Sequence, residues 1–214
     1  MSQKIHYLLL LFLFLIGIGS VFIFRLWQVK KAESISFSPQ ESSFVLKPPL
    51  KALTGEFILI KGEVKKKPRS KEKFEIVKAE GEILIEGEKI TTGKESQSII
   101  EFPDFIRISL GSNTEIGLIN LIPTNFLINQ SSGFVTYKLL QDDSPFSVRS
   151  LHTLLTFDFG ESKITVEENK IKVEILSGKA KLALVDLNNK THIWELNEGE
   201  KVLVEDSERR VKIE

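Results

Sequence analysis

Apolar and polar residues alternate in short runs along most of the chain. In IKVEI (171–175), the residues Ile171, Val173 and Ile175 share one face of an extended strand, with charged residues on the other face. Turn-forming gaps such as EEN, SG, DLNNK and NEGE separate such runs. The pattern predicts an all-β domain, an antiparallel β-sandwich or β-roll with a jelly-roll-like arrangement. Further runs with this period are FIRISL (105–110), KITVE (163–167), KAKLALV (179–185), HIWEL (192–196) and KVLVE (201–205).

Two short motifs are repeated. GEFILIKGE begins at Gly55 and is echoed by GEILIEGE from Gly81, while EGEKI (86–90) returns as EGEKV (198–202). Each EGEK copy places a glycine turn directly before a β-branched strand residue. This repetition predicts a sheet built from similar hairpins.

The N-terminal region has a different pattern. Residues 7–24 carry no charge, and a helix of that length spans about 27 Å, close to the hydrocarbon core of a bilayer. Lys4 precedes this run, and Arg25 and the interfacial aromatic Trp27 follow it. The alternative is a cleaved signal peptide, but the run is longer than a typical signal core and GIGSVF is a poor cleavage site. We predict an uncleaved signal anchor.

The predicted domain organisation follows from these two patterns. Residues 28–51 are rich in Ser, Pro and Lys, and Pro48-Pro49 excludes a helix. We interpret this segment as a tether, the alternative being an irregular first strand. The predicted parts are a short cytoplasmic N-terminus (1–6), a transmembrane helix (7–27), the tether (28–51), a β domain (52–206) and a C-terminal tail or last strand (207–214).

Composition restricts the possible chemistry. Lys+Arg and Asp+Glu are both 29, so the chain lacks the basic surplus that is typical of a nucleic-acid partner. Cys is 0 and His is 3, which leaves few candidates for nucleophilic or imidazole chemistry. The basic stretch KGEVKKKPRSKEK (61–73) fits a solvated loop, or contact with an anionic lipid or wall polymer. We expect no cofactor, no metal and no nucleic acid.

The stretch GEKITTGKESQSIIEF (87–102) resembles the FecR domain family, whose pattern has a Gly-acidic turn, an Ile/Val-x-Thr-Gly strand end and an acidic-Ser pair. LGSNTEIGL (110–118), SGFVTYKL (132–139) and SPFSVRS (144–150) resemble the family elements that follow, and the C-terminal strands match as well. The resemblance covers roughly residues 52–206. It assigns structural motif positions to Gly87, Ile90, Thr92, Gly93, Ser96, Gly111, Asn113, Gly133, Pro145, Phe146, Val148, Gly160, Gly178 and Gly199. Of these, we expect a positive φ at Gly87, Gly93, Gly111, Gly178 and Gly199.

The resemblance has two departures. The family's Gly-Thr-x-Phe-x-Val is replaced by FGESKITV (159–166), in which Gly160 and Val166 fit but the Thr and Phe do not. The founding members, regulators of iron-citrate transport, bind a sigma factor through a cytoplasmic segment. Only about six residues precede the predicted membrane helix here, so we do not expect sigma-factor binding.

The resemblance also bears on orientation. In the family the domain lies on the outer side of the membrane, which implies a periplasmic or extracytoplasmic β domain on a single-pass inner-membrane anchor. The basic residues after the helix, Arg25, Lys30 and Lys31, favour the opposite orientation under the positive-inside rule. The two arguments conflict.

Candidate active-site residues are few. Ser150, His152 and Asp158 allow a Ser-His-Asp combination on paper, but nothing in the pattern makes them converge on an oxyanion hole. The neighbouring carboxylates Asp142-Asp143 and Glu167-Glu168 fit solvated turns better than a glycosidase pair. We therefore predict no catalytic residue.

His192 and Trp194 share a strand face and are possible ligand contacts, either by stacking on a sugar or as a surface pair. The sequence favours a non-catalytic, membrane-anchored envelope module for binding or signalling. Its partner would be a wall glycan or an envelope protein. The alternatives are a scaffold that pairs with an envelope partner through an exposed strand edge and, more remotely, an envelope hydrolase.

Overall fold

The computed structural model describes residues 51–141 and 145–213. The predicted transmembrane helix, residues 28–50 of the predicted tether and the Asp142-Asp143 pair lie outside this range. Within it, no helix is long and apolar enough to cross a membrane. The prediction of an all-β fold is confirmed. The elements are β1 (Gly55–Lys61), β2 (Val64–Lys67), β3 (Glu75–Ile76), β4 (Ile83–Leu84), β5 (Lys89–Thr92), β6 (Gln97–Phe102), β7 (Ile106–Leu110), β8 (Glu115–Asn120), a 3-10 turn (Pro123–Asn125), β9 (Phe126–Leu139), β10 (Phe146–Ser150), β11 (Thr153–Glu167), β12 (Lys170–Val185), β13 (Thr191–Asn197), β14 (Lys201–Glu205) and β15 (Arg210–Ile213).

The strands pair in two layers that share three long strands. Sheet I has the order β3-β2-β5-β8-β9-β10-β11-β12-β13, and uses the N-terminal parts of β9 and β11 and the C-terminal part of β12. Sheet II has the order β4-β1-β6-β7-β9-β11-β12-β14-β15, and uses the remaining parts of those three strands. All fifteen strands of the described residues are therefore connected in one hydrogen-bonded network.

The inner faces of the two sheets meet in one apolar core. Phe126 of sheet I contacts Phe102 of sheet II edge-on, with ring centroids 4.9 Å apart. Phe146 of sheet I similarly lies 5.2 Å from the ring of Tyr137 in sheet II. These aromatic rings are buried because alternate residues of each strand point inward, as the alternating sequence predicts.

β12 differs from the sequence prediction. IKVEI and KAKLALV read as two strands separated by a turn at Ser177-Gly178, but they form one continuous strand. At this point the strand bends from sheet II to sheet I, and β11 bends beside it at Gly160, with register shifts on either side. Both glycines have φ values in the left-handed region, 99° at Gly160 and 84° at Gly178. The predicted turn is therefore a bend that lets one strand serve both sheets.

β9 bends in a similar way, beside a buried polar group. Gln130 is fully buried, and its amide donates to the carbonyl oxygens of Gly133 (3.0 Å) and Ile164 (3.2 Å). The Tyr137 hydroxyl donates to the Gln130 side-chain oxygen at 3.1 Å, and burial raises the pKa of this phenol well above its ordinary value. These bonds satisfy the polar groups at the bend and hold the two parts of β9 together.

One strand pair departs from the predicted antiparallel arrangement. β10 runs parallel to the first part of β9, with Phe146 opposite Phe126 and Arg149 opposite Asn129. The other described pairings are antiparallel. The parallel pair arises because β9 ends in sheet II and the chain must return to sheet I before it forms β10.

Candidate binding groove

Six of the fourteen family-motif residues meet at one edge of the two sheets, where the chain crosses between them; they are Thr92, Gly93, Ser96, Gly111, Asn113 and Gly133. The Thr92 hydroxyl donates to the Gly111 carbonyl oxygen and accepts the backbone N–H of Thr114 at 3.0 Å. The Thr114 hydroxyl in turn accepts the backbone N–H of Phe134 at 3.0 Å. Three consecutive crossings are thus joined by buried hydroxyl groups, and these hydroxyls serve the backbone.

Ser96 and Asn113 continue this edge. The Ser96 hydroxyl accepts the backbone N–H of Glu63 at 2.9 Å, which ties in the crossing between β1 and β2. The Asn113 N–H donates to the Gly93 carbonyl oxygen at 3.1 Å, and Asn113 adopts a φ of 52°. The motif therefore forms the frame of the fold at this edge.

The glycines of the motif have two different roles. Gly87, Gly133, Gly160, Gly178 and Gly199 have positive φ values. The positive φ expected at Gly93 and Gly111 is absent, and close packing explains these two glycines instead. A Cβ at Gly111 would lie 2.7 Å from Cδ1 of Phe134, and one at Gly93 would lie 3.3 Å from Cβ of Glu63.

The remaining motif positions lie apart from the crossing edge. Ile90, Phe146 and Val148 point into the core, and Pro145 is exposed just before β10.

The two EGEK turns are crossings between the sheets and not hairpins, which corrects the sequence prediction. β4 and β5 do not pair with each other, nor do β13 and β14. The two turns share one local structure: the Glu88 carboxylate accepts the backbone N–H of Ile85 (3.0 Å), and Glu200 accepts that of Asn197 (2.6 Å). The repeated sequence therefore encodes a repeated crossing.

Ser150, His152 and Asp158 do not form a Ser-His-Asp triad. Ser150 is fully buried and Asp158 is exposed, while His152 contacts another carboxylate, Asp206. The carboxylate of Asp206 accepts the His152 backbone N–H at 3.1 Å and lies 2.9 Å from its Nδ1. This pair joins the β10–β11 turn to the β14–β15 turn.

His192 and Trp194 stack on each other with ring centroids 5.8 Å apart. Trp194 is half-buried and packs against the core, whereas His192 is exposed and its Nε2 lies 2.9 Å from the Asp186 carboxylate. Hydrogen bonds from the His192 side chain, and then from the backbone N–H of Lys190, hold the pKa of Asp186 below its usual range. The three residues stabilise the β12–β13 hairpin.

A groove of about 740 Å³ opens where the outer face of sheet I meets three hairpin turns. We call it the arginine groove. Its volume lies within the range of small-ligand sites. The residues that line it are Arg149, Leu151, His152, Thr153, Leu154, Ala183, Val185, Asp186, Leu187, Asn189, Thr191 and Arg209.

Two guanidinium groups border the groove, and uncharged acceptors hold both. Nε of Arg149 donates to the Asn129 side-chain oxygen at 3.1 Å, and an Nη of Arg209 donates to the Val185 carbonyl oxygen at 2.9 Å. Across residues 51–141 and 145–213, neither group is paired with a carboxylate. Each arginine is thus oriented by one bond and keeps further N–H donors for a carboxylate or phosphate.

The rest of the groove is largely apolar. The side chains of Leu151, Leu154, Val185 and Leu187 are all exposed there. Under them lies the buried Thr153 hydroxyl, which has no hydrogen-bond partner in the described part of the chain. The groove therefore combines apolar walls, two arginines without a described carboxylate partner, and the Asp186 carboxylate, which is bonded to His192. This arrangement suits an anionic ligand with an apolar part that binds at the arginines.

A smaller cavity of about 240 Å³ continues from Arg149 across sheet I, past Lys89, Gly117 and Asn129. Gly117 leaves space on this face because it has no side chain. Arg149 borders both cavities, so an extended ligand could contact it from either side.

A third cavity, of about 290 Å³, lies on the outer face of sheet II. Lys172 and Lys201 line it, and they are paired with Glu167 (3.2 Å) and Glu174 (3.1 Å). Its charges are largely satisfied within the domain, which makes it the weaker candidate for an ionic ligand. Among the described residues there is also no group of three or more His, Cys, Asp or Glu side chains that could hold a metal.

The sequence prediction missed the arginine groove. Arg149 occupies the outward position of an alternating strand and Arg209 a turn, so each resembles an ordinary solvated cation in the sequence. Arg149 and Arg209 come close only because the β10–β11, β12–β13 and β14–β15 turns are brought together by strands that pair over long sequence distances. Leu151 and Arg209 both adopt a left-handed backbone conformation, with φ values of 49°, which is uncommon for residues other than glycine. The sequence alone does not reveal this conformation.

Two crystal structures, at 2.50 and 1.65 Å resolution, resemble this fold. Both are of a proposed anti-sigma factor from Parabacteroides distasonis ATCC 8503, with TM-scores of 0.51 and 0.52 and 15% sequence identity. The match covers 59% of this chain and 58% of that protein's chain, less than two thirds of its length. No family model and no curated protein matches the sequence. The likeness shows a shared fold.

Proposed function

We propose that this chain is a non-catalytic, membrane-anchored FecR-like envelope module that binds an acidic ligand and takes part in binding or signalling. The β domain would lie on the outer side of the cytoplasmic membrane. The observation that carries the proposal is the arginine groove, where Arg149 and Arg209 present guanidinium groups without carboxylate partners in the described residues. The fold likeness to a proposed anti-sigma factor supports a regulatory role of this kind.

The role of the motif residues favours binding over chemistry. Thr92, Ser96 and Thr114 use their hydroxyl groups to hold backbone N–H groups at the crossing edge. Their role is structural, so a ligand would be recognised elsewhere, on the outer face of sheet I. The proposal includes no sigma-factor contact by this domain, because an extracytoplasmic domain would not meet one.

The ligand would be a wall glycan with free carboxylates or an acidic segment of an envelope protein. Both chemistries present carboxylates that an arginine can bind with two parallel hydrogen bonds. Apolar groups on the ligand would lie against Leu154 and Leu187. A binding experiment with one probe for each source distinguishes the wall glycan from the acidic protein segment.

Binding is tested on the purified full chain with two probes, an oligoglutamate peptide and soluble wall fragments that carry free carboxylates. Arg149→Ala and Arg209→Ala should each weaken binding by about tenfold, since a hydrogen bond to a charged group contributes roughly 1.5–3 kcal/mol. Lys181→Ala is the matched control, because Lys181 is an exposed cation on sheet I outside the groove lining. Equal binding by all four proteins, or none by wild type to either probe, would refute the groove assignment.

Location is tested separately. The chain has no Cys, so Ser207→Cys creates one unique thiol in the exposed β14–β15 turn. We expect a membrane-impermeant maleimide to label intact spheroplasts as fully as lysed ones. Labelling only after lysis would place the domain in the cytoplasm and exclude the envelope role.

A second candidate function is a scaffold that joins a partner through a strand edge. The observation that favours it is β13, whose outer edge is unpaired among the described residues. A protein partner that binds without any need for Arg149 or Arg209 would favour this reading.

A further inference from the structure

Within the part of the chain that the structure describes, the two sheets end in four edge strands, and three of them are poorly suited to pairing. β3 and β4 contain two residues each, and β15 has four, including the charged residues Arg210 and Lys212. Short and charged edges are the usual protection against pairing with another chain. β13 is the exception, with seven residues and only one Lys, Arg, Asp or Glu, which is Glu195.

β12 holds β13 in place along its other edge. β13 pairs with β12 along its full length, and its Trp194 and Leu196 side chains pack towards the core. Its outward residue Ile193 is 66% exposed in the middle of the strand. The strand thus presents a seven-residue edge, unpaired among the described residues, with an apolar side chain at its centre, which favours addition of another strand.

We propose that β13 pairs with β13 of a second copy of this chain, in antiparallel orientation, so that sheet I continues across a two-fold axis. A symmetric pair of this kind requires a self-complementary strand. The inference depends on the strand edge alone and is independent of the arginine groove and of the membrane location.

The residues of β13 select one register. With the axis at Ile193, this residue lies opposite Ile193 of the partner subunit, and Thr191 lies opposite the partner's Glu195. His192 then faces the partner's Trp194, which extends the aromatic stack found within each copy. Moving the axis to Trp194 would instead place each Ile193 opposite a carboxylate, Glu195 of the partner subunit. Apolar and aromatic cross-strand pairs favour the first register.

A second copy suits this edge better than a charged partner. The formal net charge of the chain is +0, so two copies have no net long-range repulsion, and the edge itself carries one acidic group. A pair of seven-residue strands buries less surface than a standard protein interface, below roughly 1,200 Å². The expected dimer is therefore weak, and its population rises with concentration.

Cross-linking of the full chain tests both pairing and register. Ile193→Cys introduces the only thiol and should give a covalent dimer with a short bismaleimide, since directly opposite Cα atoms are about 4.5–5.5 Å apart. The mixed pair of Thr191→Cys and Glu195→Cys chains should cross-link as well, and neither of these alone should. Leu187→Cys is the control for random collision, because Leu187 is 71% exposed and lies in the β12–β13 turn, outside the paired strand.

A dimer yield for Ile193→Cys no higher than that for Leu187→Cys would overturn the proposal. A mixture of Ile193→Cys and Glu195→Cys chains that cross-links better than Ile193→Cys alone would overturn the register. Ile193→Lys provides a test without cross-linker: it should abolish concentration-dependent dimerisation in sedimentation while the thermal midpoint stays unchanged, because the side chain is mostly exposed. A dimer that survives this substitution, or a wild-type chain that stays monomeric at all concentrations, contradicts the inference.

Discussion

Gly160 lies directly opposite Gly178, at the point where β11 and β12 bend together from one sheet into the other. A Cβ on Gly160 would lie 2.2 Å from the carbonyl oxygen of Ser177, and one on Gly178 would lie 2.4 Å from that of Phe159. Each glycine thus combines a left-handed φ with a close approach to the neighbouring backbone. A side chain at either position would separate the two strands at their shared bend.

Gly160→Ala should destabilise the domain by more than about 3 kcal/mol, because the left-handed conformation costs roughly 1–2 kcal/mol and the backbone contact adds to it. Urea unfolding followed by circular dichroism measures this loss. Two controls separate the causes. Gly81→Ala has a φ of 81° but no neighbour within 4 Å, so it should show the conformational cost alone. Gly117→Ala has an ordinary φ and no contact closer than 3.8 Å, so its effect should stay within about 1 kcal/mol. Equal effects for all three would contradict the steric argument.

Thr92→Val should destabilise the domain by about 1–3 kcal/mol, because Val keeps the shape but leaves the Thr114 N–H and the Gly111 carbonyl without this partner. Thr92→Ser retains the hydroxyl and should recover most of the loss. The midpoint of chemical unfolding distinguishes the two. If Thr92→Val is as stable as wild type, the hydroxyl does not hold the crossing edge together.

Asp206→Ala should weaken the contact between the β10–β11 and β14–β15 turns. It removes the acceptor of the His152 backbone N–H, and the expected loss is about 1–3 kcal/mol because Asp206 is buried. Asp206→Asn keeps an oxygen at this position and should lose less. Hydrogen exchange at the His152 amide gives a local readout, and exchange unchanged in Asp206→Ala would exclude the bond.

The Asp186 carboxyl predicts a pH dependence. Its pKa is lower in the folded protein than in the unfolded chain, so its contribution to stability is present above the unfolded value of about 4 and is lost as the pH falls through the folded value. Asp186→Asn should therefore be less stable than wild type at pH 7, and the difference in stability should shrink as the pH falls below about 4. Asp158→Asn, an exposed carboxylate on the same sheet, serves as the control. A stability difference that stays constant between pH 7 and pH 3 would contradict the prediction.

The alternating pattern predicted the strands well where a strand serves one sheet. FIRISL and KVLVE correspond closely to β7 and β14. It failed at Ser177-Gly178, because a glycine next to a polar residue looks the same in sequence whether the chain turns back or only bends. The EGEK repeats are visible because their local sequences are alike. The repeats do not show which strands they connect, since strand pairing depends on residues far away in the chain.

The candidate site could not be predicted because its parts are distant in sequence. Arg149, Val185 and Arg209 come together only after β10, β12 and the last hairpin have paired. The sequence offers Asp158 as the carboxylate nearest to His152, but in the structure the partner of His152 is Asp206, 54 residues later. Local periodicity determines which way a side chain points, but it does not determine which distant side chain it meets.

The three strands that pass through both sheets have a mechanical consequence. β9, β11 and β12 connect the layers through covalent backbone as well as through core packing, so one layer cannot slide over the other without twisting these strands at their bends. A relative displacement of the two layers would therefore strain the bends of these strands, which for β11 and β12 lie at Gly160 and Gly178.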